Sequence, residues 1–243
     1  MKREHTRLIG RFLDEWLPPV LRERRWLYRL VLGAVVKGDV DAYLDFRQNA
    51  WRMSDKDLQR FYGSIRSNID RPTDCNDRSV ARLLETLRAR QPGSILEFGC
   101  GRGHVARQML EATPEASYTG IDFDTSRARE VLPPGTRLLD GVGMDVLEAG
   151  ETFDCVVCTH TLEHVTDLRK TVADLVARTR DTLIIVVPLQ LNLRYSADLH
   201  TRFWRQPGEF FLDAGIRPDM NPDWHEDLGD LFVALDLSGR PGP

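Results

Sequence analysis

The sequence predicts an α/β fold: a doubly wound, mostly parallel sheet with a helical N-terminal appendage. Three observations carry that prediction. Residues 94–106 read as a buried strand (Ile95, Leu96, Phe98), a glycine turn, and a helix opening near His104. Residues 153–158 and 182–187 are short apolar runs rich in β-branched side chains, the composition of parallel strands covered on both faces. Around them the apolar period switches to that of a helix, at 80–87 and again at 167–178. Strands alternating with helices build a doubly wound sheet, whose ligand crevice lies at the carboxyl ends of its strands.

The elements follow in chain order. Residues 1–75 form the expected appendage, with Lys and Arg 15 times against Asp and Glu 11 times, while the whole chain carries a net charge of −4. Residues 17–36 are apolar, aromatic and arginine-rich. They read either as an interfacial helix on anionic lipid or as a helix packed over the crevice with its arginines solvated. The second reading is preferred because residues 30–36 lack a clear polar face. Residues 42–62 (Tyr43, Phe46, Trp51, Phe61) follow as one or two helices, a candidate lid on the substrate side. The helix at 80–87 is preceded by the candidate caps Asn76 and Asp77 and stopped by Pro92-Gly93. A ligand-binding domain is expected over 76–237 and a disordered tail over 238–243.

Composition agrees. With 243 residues and 42% hydrophobic content, the chain can bury one α/β core plus an appendage. No apolar run reaches membrane-spanning length and MKREHTRLIGRF has no signal-peptide core, so a cytoplasmic location is expected, with weak membrane-surface contact through residues 17–36 left open. Four cysteines without a framework spacing point to a reducing compartment. Cys155 and Cys158 form a C-x-x-C inside a strand pattern, where i and i+3 face opposite ways. They read as two core thiols.

The glycine turn carries the chemistry. Gly99, Gly101 and Gly103 follow Glu97 as E-x-G-x-G-x-G, which departs from the dinucleotide fingerprint because that pattern's third glycine would occupy position 104, a histidine here. Glycine permits φ > 0 and lets a ligand approach the backbone without meeting a Cβ. The helix N-terminus beyond offers free N–H groups. One acidic anchor without a pyrophosphate cradle suits a zwitterionic, nucleoside-containing ligand whose ammonium meets Glu97.

This segment resembles motif I of the class I S-adenosylmethionine (SAM)-dependent methyltransferases, a family with a Rossmann-like fold, and the next ninety residues keep that family's order. Residues 118–122 read as a second strand ending in a carboxylate 19 residues beyond Gly103. The resemblance gives Asp122 the ribose diol of SAM. Gly143-Met144-Asp145, aligned with a one-residue gap, matches the family's acidic residue for the adenine amino group, hence Asp145. The cofactor set implied is Glu97, Gly99, Cys100, Gly101, Gly103, Asp122, Phe123, Asp145, Val146 and Thr159, with S-adenosylhomocysteine as product.

Two histidine-bearing segments follow. His160-Thr-Leu-Glu163-His164-Val165 stands directly after the fourth strand, and Tyr195, His200 and Arg202 lie after the fifth. The Leu-Glu-His-Val element resembles a tetrapeptide of small-molecule methyltransferases. Quinone-biosynthesis O-methyltransferases and small-RNA 3′-end 2′-O-methyltransferases carry a Glu-x-x-Glu-His version that holds a metal. Here His160 replaces the first Glu, which moves the preference from Mg²⁺ toward Zn²⁺, Fe²⁺ or Co²⁺. His160, Glu163, His164 and His200 are the candidate ligands for a divalent metal. Without a metal, His160 is the first choice for general base and His200 the second, with His164 lining the substrate pocket. Tyr195 and Arg202 either orient a polar or anionic acceptor or simply pack and solvate.

The expected activity is O-methylation of a hydroxyl on a small molecule: a sugar, a lipid-linked glycan or a secondary metabolite. Two alternatives stay open. One is a metal-dependent RNA 3′-end 2′-O-methyltransferase, against which an acidic chain without a basic aromatic surface speaks. The other is a non-catalytic SAM-binding partner subunit, against which intact Glu97, Asp122 and His160 speak.

Overall fold

The computed structural model describes residues 18–33, 36–37, 39–64, 66–67, 73–195 and 198–239. Parts of the expected appendage and of its 17–36 segment, and residues 240–243 of the expected tail, lie outside the described residues. The chain divides into two units. Residues 1–71 go with 191–203, and residues 72–190 with 204–243. The segment after the fifth strand thus joins the first unit.

In the first unit, α1 (Arg25–Gly33), α2 (Val40–Asn49) and α3 (Asp55–Ser64) are the main elements. Residues 42–62 thus fall on two helices, joined by a 3₁₀ turn at Ala50–Arg52. Asp39 caps α2 by accepting from the amides of Asp41 and Ala42. Tyr28 and Leu32 of α1 pack with Leu44 of α2 and with Tyr195, while Phe46, Ala50 and Leu58 pack with Leu199. Arg25 bridges Asp41 and Asp45 between the two helices. Trp26 and Leu30, on the other side of α1, are exposed. Among the described residues, no helix is long and apolar enough to cross a membrane.

The second unit is built on one seven-stranded sheet. Its strands are β1 (Ser94–Phe98), β2 (Ser117–Asp122), β3 (Arg137–Asp140), β4 (Phe153–Thr159), β5 (Thr179–Pro188), β6 (Asp223–Asp227) and β7 (Asp230–Asp236). The order is β3-β2-β1-β4-β5-β7-β6. The first five are parallel, β7 runs antiparallel to β5, and β6 antiparallel to β7. Helices α4 (Asp77–Arg90), α5 (His104–Ala112), α6 (Ser126–Val131), α7 (Leu168–Arg178) and α8 (Pro207–Ala214) complete it.

Alternation along each strand separates two cores. Leu96, Phe98, Val156 and Cys158 face Leu168, Val172 and Leu175 of α7. Ile95, Cys155 and Val157 face Leu83, Leu87 and Met109 on the opposite side. Each Leu, Ile, Val, Phe or Met among them contributes about 1.5–3 kcal/mol on burial. Cys155 and Cys158 do lie on opposite faces, and burial raises both thiols, Cys155 to about 12, which keeps them protonated and inert. Asn76 caps α4 as expected, its side chain accepting from the Arg78 and Ser79 amides at 2.9 Å. Gln91, at φ 48°, ends that helix before Pro92. The β6–β7 hairpin turns on Leu228 (φ 50°) and Gly229 (φ 85°), positive at both central positions as in a type I′ turn.

Candidate functional site

The chain lays down β1, β2 and β3 in one direction and then returns to place β4 on the other side of β1. That reversal creates a crevice at the carboxyl ends of β1 and β4, where open α/β sheets hold ligands. The glycine turn occupies this point. A Cβ on Gly99 would lie 1.9 Å from Thr161 Oγ1, so only glycine lets the loop after β1 pass the turn after β4. Gly101, at φ +52°, is different: a Cβ there would meet nothing within 4 Å, and a side chain would occupy open space at the loop tip. Its N–H donates to Asp122 Oδ2 at 2.7 Å. The Gly99 and Cys100 amides both donate to the Ile121 carbonyl, at 2.8 and 3.0 Å. Cys100 thus ties β1 to β2 through its backbone, and its sulfur is buried.

Two carboxylates flank the loop. Glu97 is only 1% exposed. Burial pushes its carboxyl up to about 7, although the Tyr118 hydroxyl, donating to Oε2 at 2.5 Å, pulls it down; Asp122 adds to the rise. Glu97 stands opposite Gly120 in the β1–β2 register. A Cβ on Gly120 would come within 2.9 Å of the Tyr118 oxygen and 3.1 Å of Cys100 Sγ, so glycine there clears the path of the phenol. Asp122 is also raised by burial, opposed by the amides of Gly101, Asp124 and Phe123. A desolvated carboxylate is costly unless a donor or cation joins it. The pair therefore fits a ligand bearing an ammonium and hydroxyls, next to a loop tip that stays open.

The other cofactor candidates ring the same edge. Phe123 is exposed beyond Asp122, and Thr159 is buried at the end of β4. Asp145 is exposed and Val146 half-buried on the 3₁₀ turn Met144–Val146.

His160 follows β4 and donates its amide to the Val186 carbonyl at 2.8 Å. Its backbone is left-handed, φ +49°. The ring is 11% exposed, with Nδ1 at 3.4 Å from Glu163 Oε1 and Nε2 at 3.4 Å from Asp230 Oδ2. Burial alone would lower its pKa, but Asp230 and Glu163 raise it to about 10. Glu163 is fully buried and His164 half-buried on the 3₁₀ turn Leu162–His164. Tyr195, His200 and Arg202 belong to the first unit. There Tyr195 is buried, its ring 5.9 Å from that of Tyr28, the His200 ring lies 6.3 Å from Phe203, and Arg202 is half-buried.

Sequence reasoning missed the contacts of Tyr118, Cys75 and Asp230, and read Asn76 only as a helix cap. Tyr118 had one available signal, its place two residues before a glycine that faces Glu97. The Asn76 amide donates to Asp230 Oδ2 at 2.9 Å across 154 positions, which no local pattern announces. A shallow cavity of about 800 Å³ opens on the opposite, amino-terminal edge, by Ser94, Arg137, Thr152 and Arg180.

A family model described as a methyltransferase domain matches residues 69–215. Among curated proteins, the malonyl-[acyl-carrier protein] O-methyltransferase of Anoxybacillus flavithermus is 26% identical over 158 residues, 63% of this chain and 60% of that protein. The enzyme of the same name from Bacillus anthracis is 26% identical over 127 residues, 49% of this chain and 46% of that one. The chain thus spans about half of the length of these relatives. Among solved structures, the plantazolicin methyltransferase BpumL, in complex with a monoazolic desmethylPZN analog and SAH, aligns at TM-score 0.52 and 12% identity, over 81% of this chain and 95% of that one. The N-terminal domain of EvdMO1 with SAH bound aligns at 0.51 and 16%, over 76% and 97%. Those two share the fold.

Proposed function

The chain belongs to the methyltransferase-domain family, and from that premise we propose that it moves a methyl group from SAM to an oxygen of a small acceptor. One observation carries the reading: Glu97, the open backbone at Gly101 and Asp122 converge on the sheet's switch point. SAM supplies an electrophilic methyl on a sulfonium. Glu97 meets its ammonium, and that cation offsets the cost of burying the carboxylate. Asp122 holds the ribose diol with the oxygen that Gly101 leaves to it, and Asp145 meets the adenine amino group. The remaining work of the protein is orientation of the acceptor oxygen and exclusion of water.

The acceptor decides whether a base is needed. A hydroxyl must lose its proton, whereas a carboxylate arrives ionised. Both ring nitrogens of His160 face carboxylates, which leaves it badly placed to take a proton from a substrate. His164, half-buried on the same turn, takes over that role in this reading. The names of the curated relatives favour a second acceptor class, an acyl group on a carrier protein, methylated at its free carboxylate.

Labelled methyl transfer tests both. Purified protein with methyl-labelled SAM is offered a hydroxylated panel and a malonyl-loaded carrier. Label that alkali releases as methanol marks an ester and the carboxylate reading. Alkali-stable label that disappears in His164→Gln, with SAM affinity kept, marks the hydroxyl reading. SAM binding without transfer to the panel, the carrier or a cell extract overturns the enzyme assignment in favour of a SAM-binding subunit.

A further inference from the structure

Three metal-ligating side chains from distant segments meet inside the second unit. They are Cys75, just ahead of α4, His160 after β4, and Asp230 at the start of β7. One donor atom of each lies within 4.8 Å of the other two. Cys75 and Asp230 are buried and His160 is nearly so. The cluster combines a thiol, an imidazole and a carboxylate, so it is not an acidic patch.

The spacing of His160 and Asp230 is that of two ligands around an ion. The His160 Nε2 to Asp230 Oδ2 distance is 3.4 Å. A charge-assisted hydrogen bond between such groups closes to about 2.7–2.9 Å. Two donors on a tetrahedral zinc, each about 2.0–2.1 Å from the metal, stand about 3.3 Å apart.

Its surroundings are those of a metal site as well. A ligating histidine usually offers its second nitrogen to a carboxylate, and ligating carboxylates are themselves hydrogen-bonded. Glu163 Oε1 is the carboxylate oxygen on the Nδ1 side of the His160 ring, at 3.4 Å, longer than a formed hydrogen bond. Asn76 holds Asp230 Oδ2 with its backbone amide at 2.9 Å and its side-chain amide at 2.7 Å.

The geometry points to a divalent-metal site formed by Cys75, His160 and Asp230, with Glu163 and Asn76 orienting two of the ligands. Thiolate, imidazole and one carboxylate select Zn²⁺, Co²⁺ or Fe²⁺ over Mg²⁺. Three protein ligands leave a fourth position for water. On binding, the Cys75 thiol gives its proton to solvent. This set shares only His160 with the ligands implied by the family resemblance, apart from Glu163, which moves to an outer role. The ion would fasten the entry to α4, the exit of β4 and the start of β7 to one another.

The full chain, stripped with a chelator under reducing conditions, is titrated with Co²⁺ alone and then with Zn²⁺. The expected result is one equivalent of cobalt with a thiolate-to-cobalt charge-transfer band, bleached by zinc. Zinc at a hundredfold excess over its Kd should raise the melting temperature by about 5 °C or more. Cys75→Ala should lose the band and the thermal response. Substoichiometric cobalt without the band, or a band that survives in Cys75→Ala, overturns the site. If that variant fails to fold, X-ray absorption of cobalt-loaded wild-type protein decides, and a first shell without sulfur overturns the site. None of these readouts involves methyl transfer, so the proposed activity and the metal site fail separately.

Discussion

The two edges of the sheet treat the same functional group in opposite ways. At the amino-terminal edge, Asp154 accepts from Arg180 Nη2 at 2.7 Å, Arg180 Nε at 2.9 Å, the Gly93 amide at 2.9 Å and Ser94 Oγ at 3.1 Å. Burial would raise its carboxyl, but Arg180 and Ser94 outweigh that and hold it below the usual range. At the carboxyl edge, Glu97 has a phenol and a second carboxylate for company, and Asp122 has backbone amides, and both are raised. Asp154 is a completed joint between β1, β4 and β5. Glu97 and Asp122 hold desolvated charge, and in the proposed function it is the ligand that completes them.

The strongest way to break this comparison is Asp122→Ala. Losing the diol contact should weaken SAM binding about 100-fold. Calorimetry reads it, and an unchanged Kd removes Asp122 from the cofactor site. Glu97→Gln should lower SAM affinity about tenfold while stabilising the free protein at high pH. The folded-state carboxyl is raised from 4.5 to about 7, so its contribution to stability is present below the unfolded value and lost as pH rises through about 7. Glutamine avoids that loss, and urea unfolding at pH 8 should show a gain of up to about 3 kcal/mol that vanishes near pH 4. A destabilised variant at pH 8 would mean the carboxylate already has its cation.

Asp154→Asn should do the reverse. The lowered carboxyl contributes stability above its unfolded pKa, lost as pH falls through the folded value. The variant should therefore lose about 1–2 kcal/mol at pH 7 and little in strong acid, with SAM affinity intact. The smallest effect belongs to Tyr118→Phe. Removing the phenol's hydrogen bond lets Glu97 rise further, so the pH midpoint of SAM binding should move upward while affinity at pH 8 stays within about threefold. An unmoved midpoint would uncouple Tyr118 from the carboxylate.

What is legible in the sequence is what is local. The glycine turn, the carboxylate closing β2, the Asn76 cap and the opposed cysteines all follow from periodicity and turn chemistry within a few residues. The β6–β7 hairpin is not, because Leu228 takes a positive-φ position where asparagine would announce the turn. The partners of His160 come from positions 75 and 230, and only the folded chain brings them within reach of the ring. Residues 191–203 carry Tyr195 and Leu199, and nothing in their apolar character says which of two cores they fill.

That last segment bears on how the protein can be cut. Its ends are already joined within the second unit, where the Gln190 amide donates to the Trp204 carbonyl at 2.7 Å and Leu189 pairs with Trp204. A few glycines can therefore replace the excursion without opening the sheet. Deleting residues 1–71 alone would instead leave Tyr195 and Leu199 as greasy orphans on a detour with no destination. Any minimal version of this protein has to shed both pieces together.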